Sequence, residues 1–468
     1  GKINVTAATA CGRHYGEPRV SSFPASFDLV ADCPDYWSPH CEQPLTPNRR
    51  GGKAMNFTIL NAVGASFRFT RVEFLRSDGD VTVRTDANSR AWHWPWAASL
   101  GVAFSVGEDV PSAASVVSGT LRVHLETRVA AENEATRRGT GCHEFVRTVK
   151  NSVDIFVRLR VAPPVHRSWR LLWDATHSLA YPPAFAARDA LRQQADLLDW
   201  NGDEPETNFR RAYVELRRRG YEVDVLRDDL TCFDAAEYGA LVVADSEDEF
   251  SEAEIAKLGD DVLSRGLGLV VLADWHSPRF VEDASFFDDN TQVQWHAAVG
   301  GANVPALNRL LAPYGFGLGE DVYEGKFDAP FLCDVRNTNK CAFDSGNAVV
   351  RLPRAAYAVS VGALQKRSSL SKRKVVPKEE DDPVVLAAKD RVVVFGDTAC
   401  LDDAHHGNAP YCWPLLFAAV DLAARGHRNA SVFPDDALLD RAVQSAPPAD
   451  GLVSPYLAKY SRRSPAHA

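Results

Sequence analysis

Four aspartates stand where apolar runs end: Asp174 after WRLLW, Asp245 after ALVVA, Asp274 after LGLVVLA and Asp397 after RVVVFG. Asp402 and Asp403 follow in the next loop, and Ser246 and Trp275 come directly after two of the four. In an open α/β sheet, ligands settle beyond the carboxyl ends of the strands. Asp174, Asp245, Ser246, Asp274, Trp275, Asp397 and Asp402 therefore outline a candidate crevice. Carboxylates gathered on one edge repel one another and need a cation, basic partners, helix N-termini or raised pKa values. One chemistry they offer is a divalent-cation or polar-ligand site. The commoner use of aspartate is to cap a loop or the next helix. Capping is the preferred reading, so no metal and no cofactor is assigned.

CLDDAHHGNAPYC (400–412) offers a second constellation. Cys400, His405, His406 and Cys412 are the types of a Cys₂His₂ zinc shell, but the spacing is not that of a familiar finger. A disulfide needs only the two cysteines. Three close pairs, Cys33/Cys41, Cys333/Cys341 and Cys400/Cys412, sit in loop-like stretches, a pattern that suits an oxidising compartment. Nine cysteines cannot all pair within the chain, so one thiol is left over. The triplets at Asn4, Asn56 and Asn429 are glycan acceptors if the chain enters the secretory route.

Nucleophile signatures are missing. There is no G-x-S-x-G elbow. A glutaminase-like fold would place a reactive cysteine in the turn after a central strand, where LVVLADWHSP has Asp274 and Trp275 instead. No HGT or GTS-x-A-x-P segment provides a subtilisin-type triad, and no Gly-rich phosphate cradle appears.

The elements that must hold these residues follow from pattern. At 468 residues the chain is long enough for two or three domains. A net charge of −10 argues against nucleic acid as a partner. No apolar run approaches the ~20 residues of a membrane span. After an irregular stretch containing CPDYWSPHC, the runs NFTILNAV, DVTVRTD, WAASLGVAFSV, SGTLRVHLETRV and NSVDIFVRLRVA show period-two character, as in a small β-sandwich. Trp92, Trp94 and Trp96 read as core and strand-end packing. APPVHRS (162–168) then breaks the pattern. WRLLWD, YEVDVL, ALVVAD, LGLVVLAD and RVVVFGD read as strands. They alternate with helices at 208–219, 251–266, 304–315 and 413–426, which implies a parallel, doubly wound sheet of glutaminase or flavodoxin type. KRSSLSKRKVVPKEEDDP (366–383) reads as a mobile charged insertion, and the stretch from Pro447 onward as a disordered tail.

The expected organisation is a connector over 1–53, a β-sandwich over 54–162, a linker over 163–168, an α/β domain over 169–436 and a C-terminal tail over 437–468.

Several phrases resemble one family. LLWDATHSLAYPPAFAARDALRQQADLLDWNGDEPETNFRRAY, TCFDAAEYGALVVADSEDEF, GGANVPALNRLLAPYGFGLGEDVYEG and GDTACLDDAHH are similar to the region that follows the protease domain in the site-1 protease family of subtilisin-like enzymes. DCPDYWSPHCEQPL and WHWPWAASLGVAFSV look like the same family, and the resemblance covers about residues 27–425. GKINVTAA resembles the closing helix of a subtilase domain, which implies that a catalytic domain precedes Gly1. The resemblance implies a serine endopeptidase of the endoplasmic reticulum and Golgi that cuts membrane-tethered transcription-factor precursors on their lumenal side. It implies a membrane anchor as well, which this sequence does not contain before Ala468. Its catalytic Asp, His and Ser have no matching positions here. Cys33, Cys41, Cys232, Cys400 and Cys412 match the family's cysteines. The expected role is a non-catalytic region that braces the subtilisin-like domain of the same protein and helps present membrane-tethered substrates. The alternative is a lumenal ligand-binding module, or a metal-dependent enzyme, using the aspartate-lined crevice.

Overall fold

A computed structural model describes residues 20–28, 30, 44–47, 53–61, 66–76, 81–85, 91–93, 96–107, 115–130, 146–179, 203–205, 207–289, 292–327, 329, 331–334, 340–369, 382–403, 410–450 and 454–461. The chain divides into two compact units, Gly1–Val165 and His166–Ala468. Among the described residues no helix is long and apolar enough to cross a membrane.

The first unit contains β1 (Val20–Phe23), β2 (Ser26–Asp28), β3 (Lys53–Asn61), β4 (Phe67–Arg76), β5 (Val81–Thr85), β6 (Trp96–Val106), β7 (Ser115–Ala130) and β8 (Val146–Val161). They form two four-stranded sheets, ordered β1-β3-β6-β5 and β2-β8-β7-β4. Alternation explains how they pack. In β6, Ala98, Leu100, Val102, Phe104 and Val106 are buried while intervening residues are not. In β8, Ile155, Val157 and Leu159 are buried and Phe156 points out. Residues of both sheets, Phe57 and Phe104 with Phe69, Leu121 and Val157, share one core. Each such side chain contributes about 1.5–3 kcal/mol on burial. Trp96 opens β6 at a strand end, as its position suggests, but is 57% exposed rather than part of the core. Trp92 lies under the guanidinium of Arg128, 3.9 Å from the ring centre.

The second unit contains β9 (Arg170–Asp174), β10 (Glu222–Leu226), β11 (Ala240–Ala244), β12 (Gly268–Leu272), β13 (Ser285–Asp288), β14 (Val293–His296), β15 (Gly317–Phe327), β16 (Cys341–Leu352), β17 (Tyr357–Ser360), β18 (Gln365–Lys366), β19 (Val384–Lys389), β20 (Val392–Phe395) and β21 (Val443–Gln444). Its helices are α1 (Arg210–Arg218), α2 (Glu252–Leu263), α3 (Pro278–Asp283), α4 (Val304–Leu311), α5 (Trp413–Arg425) and α6 (Leu457–Tyr460). A seven-stranded sheet runs β10-β9-β11-β12-β20-β19-β17.

The first five strands of this sheet are parallel, but β19 and β17 run antiparallel at one edge. The wholly parallel sheet expected from the sequence is therefore mixed. The reason is local: only Asp390 and Arg391 separate β19 from β20, and so short a turn, with Asp390 at φ 51°, can join only antiparallel strands. A second sheet, β18-β15-β16-β21, had no counterpart in the sequence reading. β15 carries three glycines and register shifts against β16, which erase a period-two signal.

Strand residues point alternately to two cores. Leu171, Trp173 and Val242 face α1 and α5, while Leu172, Leu241 and Val243 face α2 and α4. α1 buries Ala212, Tyr213 and Leu216 and is followed by Gly220 at φ 100°, the left-handed stop that a glycine tolerates. α2 starts with a full capping box between Ser251 and Glu254. Past 436 the described residues stay packed, and those of 454–461 lie in the stretch from Pro447 onward that was expected to be disordered. β21 pairs with β16, and Leu457 and Tyr460 are buried with Leu179, Ala298 and Val299. Burial of these apolar residues offsets the ordering entropy that a polar tail could not. Of the expected insertion, residues 370–381 lie outside the described residues; Arg367, at its start, is buried against Glu324 at 3.0 Å.

Candidate functional site

From β9 the chain steps to β10 on one side and then crosses back to β11 on the other. That reversal makes the carboxyl ends of β9 and β11 the topological switch point of the sheet. Asp174 ends β9 and Asp245 follows β11, so the two face this position directly.

Asp174 is turned to its own loop. Its Oδ1 accepts the Thr176 N–H at 2.9 Å, and its Oδ2 meets His177 Nδ1 at 2.7 Å. His177 is buried, stacks on Phe250 at 4.1 Å, and places Nε2 3.4 Å from Glu254 Oε1. Burial pulls the imidazolium pKa down, but the Asp174 and Glu254 carboxylates outweigh it and raise the pKa to about 9. Glu254 also accepts the Leu230 N–H at 3.1 Å.

Asp274 is 1% exposed, and its Oδ1 accepts the N–H of Trp275 at 2.6 Å. The Gly300–Gly301 turn lies directly on these two residues. A Cβ on Gly301 would come 2.8 Å from Asp274 Cγ, and one on Gly300 2.2 Å from Trp275 O. Trp275 is fully buried and packs with Phe280. His276 donates its backbone N–H to Asn347 Oδ1 at 2.6 Å. Both its ring nitrogens are buried without a hydrogen-bond partner among the described residues, and burial pushes its pKa down to about 4. Asp397 is fully buried; Oδ1 accepts the Ala399 N–H at 3.0 Å and Oδ2 the Asp344 N–H at 2.5 Å.

Asp245 is different. It sits at φ 44°, a left-handed conformation uncommon for a residue with a Cβ, and its Oδ1 accepts the Thr398 hydroxyl at 2.5 Å. One oxygen each of Asp203, Asp245 and Asp402 lie within 4.8 Å of one another, and all three residues are buried. Asp402 Oδ2 accepts Nδ2–H of Asn208 at 3.0 Å. Of the residues singled out in the sequence, the structure thus draws Asp245 and Asp402 together and gives Asp174, Asp274 and Asp397 hydrogen bonds within nearby loops. Ser246, beside Asp245, has a buried hydroxyl without a hydrogen-bond partner among the described residues. Asp203 and Asn208 were missed; Asp203 closes the DWNGD phrase, where the acidic turn was visible but its partner loop was not. Asp403 instead pins Arg211 N–H and the Tyr411 hydroxyl, each at 3.0 Å.

Cys400 and Cys412 form a disulfide, as do Cys333 and Cys341, and the two bridges touch with Cys333 Sγ 3.5 Å from Cys412 Sγ. Cys232 is exposed and free. Asn56 lies exposed on β3, and Asn429 is exposed with its Oδ1 accepting the Ser431 N–H at 3.0 Å. Asn4, Cys33, Cys41, Trp94, His405 and His406 lie outside the described residues.

Residues 164–438 match the model of the MBTPS1 fourth GATase-like domain, and residues 23–154 that of the MBTPS1 third Ig-like domain. The chain is 33% identical over 447 residues to the subtilisin-like protease SBT6.1 of Arabidopsis thaliana, across 92% of this chain and 40% of that protein. It is 32% identical over 484 aligned positions to the membrane-bound transcription factor site-1 proteases of Rattus norvegicus and Homo sapiens, across 100% of this chain and 43% of each. The chain thus spans about two fifths of the relatives it matches. Among solved structures, the N-terminal domain of mmIFT52 aligns at 12% identity and a TM-score of 0.32, over 56% of this chain and 99% of that one.

Proposed function

The chain belongs to the MBTPS1 family, and from that premise we propose that it is the non-catalytic C-terminal region of a subtilisin-like serine endopeptidase of the site-1 type. On this reading the first unit is a β-sandwich over 54–162, the second a flavodoxin- or glutaminase-like domain over 169–436, and 163–168 joins them. The parent enzyme cuts membrane-tethered transcription-factor precursors in the lumen of the endoplasmic reticulum and Golgi. Disulfides and the glycan-acceptor triplets at Asn4, Asn56 and Asn429 suit that compartment. The partner of this region is the catalytic domain of the same protein, which it stabilises, and it helps position large substrates.

The observation that carries the reading is how the strand-end carboxylates are used. Asp174, Asp274 and Asp397 each accept backbone N–H groups of nearby loops and are at most 5% exposed. Such an edge holds its own loops rigid, as a scaffold requires. The alternative of a lumenal module gripping a ligand between Trp275 and the aspartates is disfavoured by the full burial of Trp275. The test is to express the parent protease with and without these residues. Loss of folded, secreted enzyme and a lower melting temperature are expected on deletion; full stability and unaltered substrate range without them would sink the proposal.

A further inference from the structure

We propose that Asp203, Asp245 and Asp402 bind a hard divalent cation of calcium's size, with Asn208 adding a neutral oxygen. The three carboxylates come from three separate segments: the turn before α1, the end of β11 and the loop after β20. One oxygen of each lies within 4.8 Å of the others, close enough for the three to converge on one ion, which calcium holds at ~2.3–2.6 Å. Magnesium keeps several waters and is usually held through one or two carboxylates, so three buried carboxylates with an amide oxygen suit calcium better.

A second observation points the same way. Asn208 is 1% exposed and donates Nδ2–H to Asp402 Oδ2 at 3.0 Å. The carbonyl oxygen belongs to the same amide and so lies near Asp402 as well. This Oδ1 is buried and accepts no hydrogen bond among the described residues. A buried acceptor left so is destabilising, and a cation is a partner that a carbonyl oxygen takes readily. The buried Ser246 hydroxyl, next to Asp245, is in the same condition. Every one of these donors is oxygen, which selects hard ions over zinc or copper. An ion here would fasten the turn before α1 and the loop after β20 to the switch-point strand. This adds a ligand to the bracing role without depending on it.

The test uses the full chain, stripped with EDTA and titrated with CaCl₂, MgCl₂ and MnCl₂ by calorimetry, with melting temperature followed in parallel. One equivalent of calcium is expected to bind and to raise the melting temperature. Binding should weaken at least tenfold in Asp203→Asn and in Asn208→Ala, and stay unchanged in Asp260→Asn, which alters an exposed acid of α2. No binding, or binding that neither Asp203→Asn nor Asn208→Ala weakens, overturns the proposal, and a preference for magnesium overturns the calcium assignment. Should either variant fail to fold, crystals of the unaltered chain soaked in CaCl₂ decide it. Calcium density between the three carboxylates supports the site, and its absence there overturns it.

Discussion

His177 Nδ1 lies 2.7 Å from Oδ2 of Asp174, the residue that ends the first strand of the large sheet. The same imidazole reaches Glu254 Oε1 at 3.4 Å. One buried cation therefore ties the β9 loop to the capping box of α2. Replacing it, as in His177→Ala, leaves two buried carboxylates without that charge. Unfolding free energy at pH 7 should fall by roughly 3–5 kcal/mol, measured by urea titration.

The pH dependence of that clamp has a definite sign. The folded-state pKa is raised to about 9 from the ordinary value of 6.5. Its stabilising contribution is thus complete below about pH 6.5 and fades as pH rises through 9. The melting temperature of the unaltered chain should fall between pH 7 and 9.5 more steeply than that of His177→Ala.

His276 works in the opposite direction. Burial holds its pKa near 4, so it stays neutral in the folded chain while the unfolded chain takes up a proton below 6.5. Its stability contribution is full above pH 6.5 and is lost as pH falls toward 4. Between pH 6.5 and 5 the loss amounts to about 2 kcal/mol, at 1.36 kcal/mol per pKa unit. In His276→Gln, acid titration followed by circular dichroism should show a correspondingly flatter profile over that interval.

Two glycines should respond oppositely to alanine. A Cβ on Gly396 would stand 1.9 Å from the backbone oxygen of Asn347, so Gly396→Ala must shift β16 or the strand end. A loss of about 1–3 kcal/mol or more is expected. Gly259, inside α2, has nothing within 4 Å of its would-be Cβ. Gly259→Ala should raise stability by about 0.5–1 kcal/mol. Paired denaturation curves check both.

The Cys400–Cys412 bridge closes a short loop that also carries Asp402. Cys400→Ala/Cys412→Ala should lower stability by about 3 kcal/mol. If calcium binds as proposed, the same variant should bind it more weakly, which calorimetry reads directly.

The strands at the centre of each unit were legible because their patterns are local. WAASLGVAFSV alternates and is β6. LGLVVLAD is apolar throughout and is β12, covered on both faces. α2 and α4 announced themselves by a capping box and by Pro305 in the first turn. β4, β15, β16, β17 and β19 were among those passed over. β15 fails to alternate because glycines and register shifts interrupt it.

Sequence alone determined the family, the succession of a β unit and an α/β unit, and the aspartates at the strand ends, because periodicity, turn residues and phrases such as DWNGD are properties of neighbouring positions. Tertiary structure alone decided which aspartates meet. Asp203 and Asp402 are nearly two hundred residues apart, and only the crossing of the chain at the β9–β11 switch point brings their oxygens within reach of Asp245. That closeness is set by how strands and helices pack, a property no local pattern encodes.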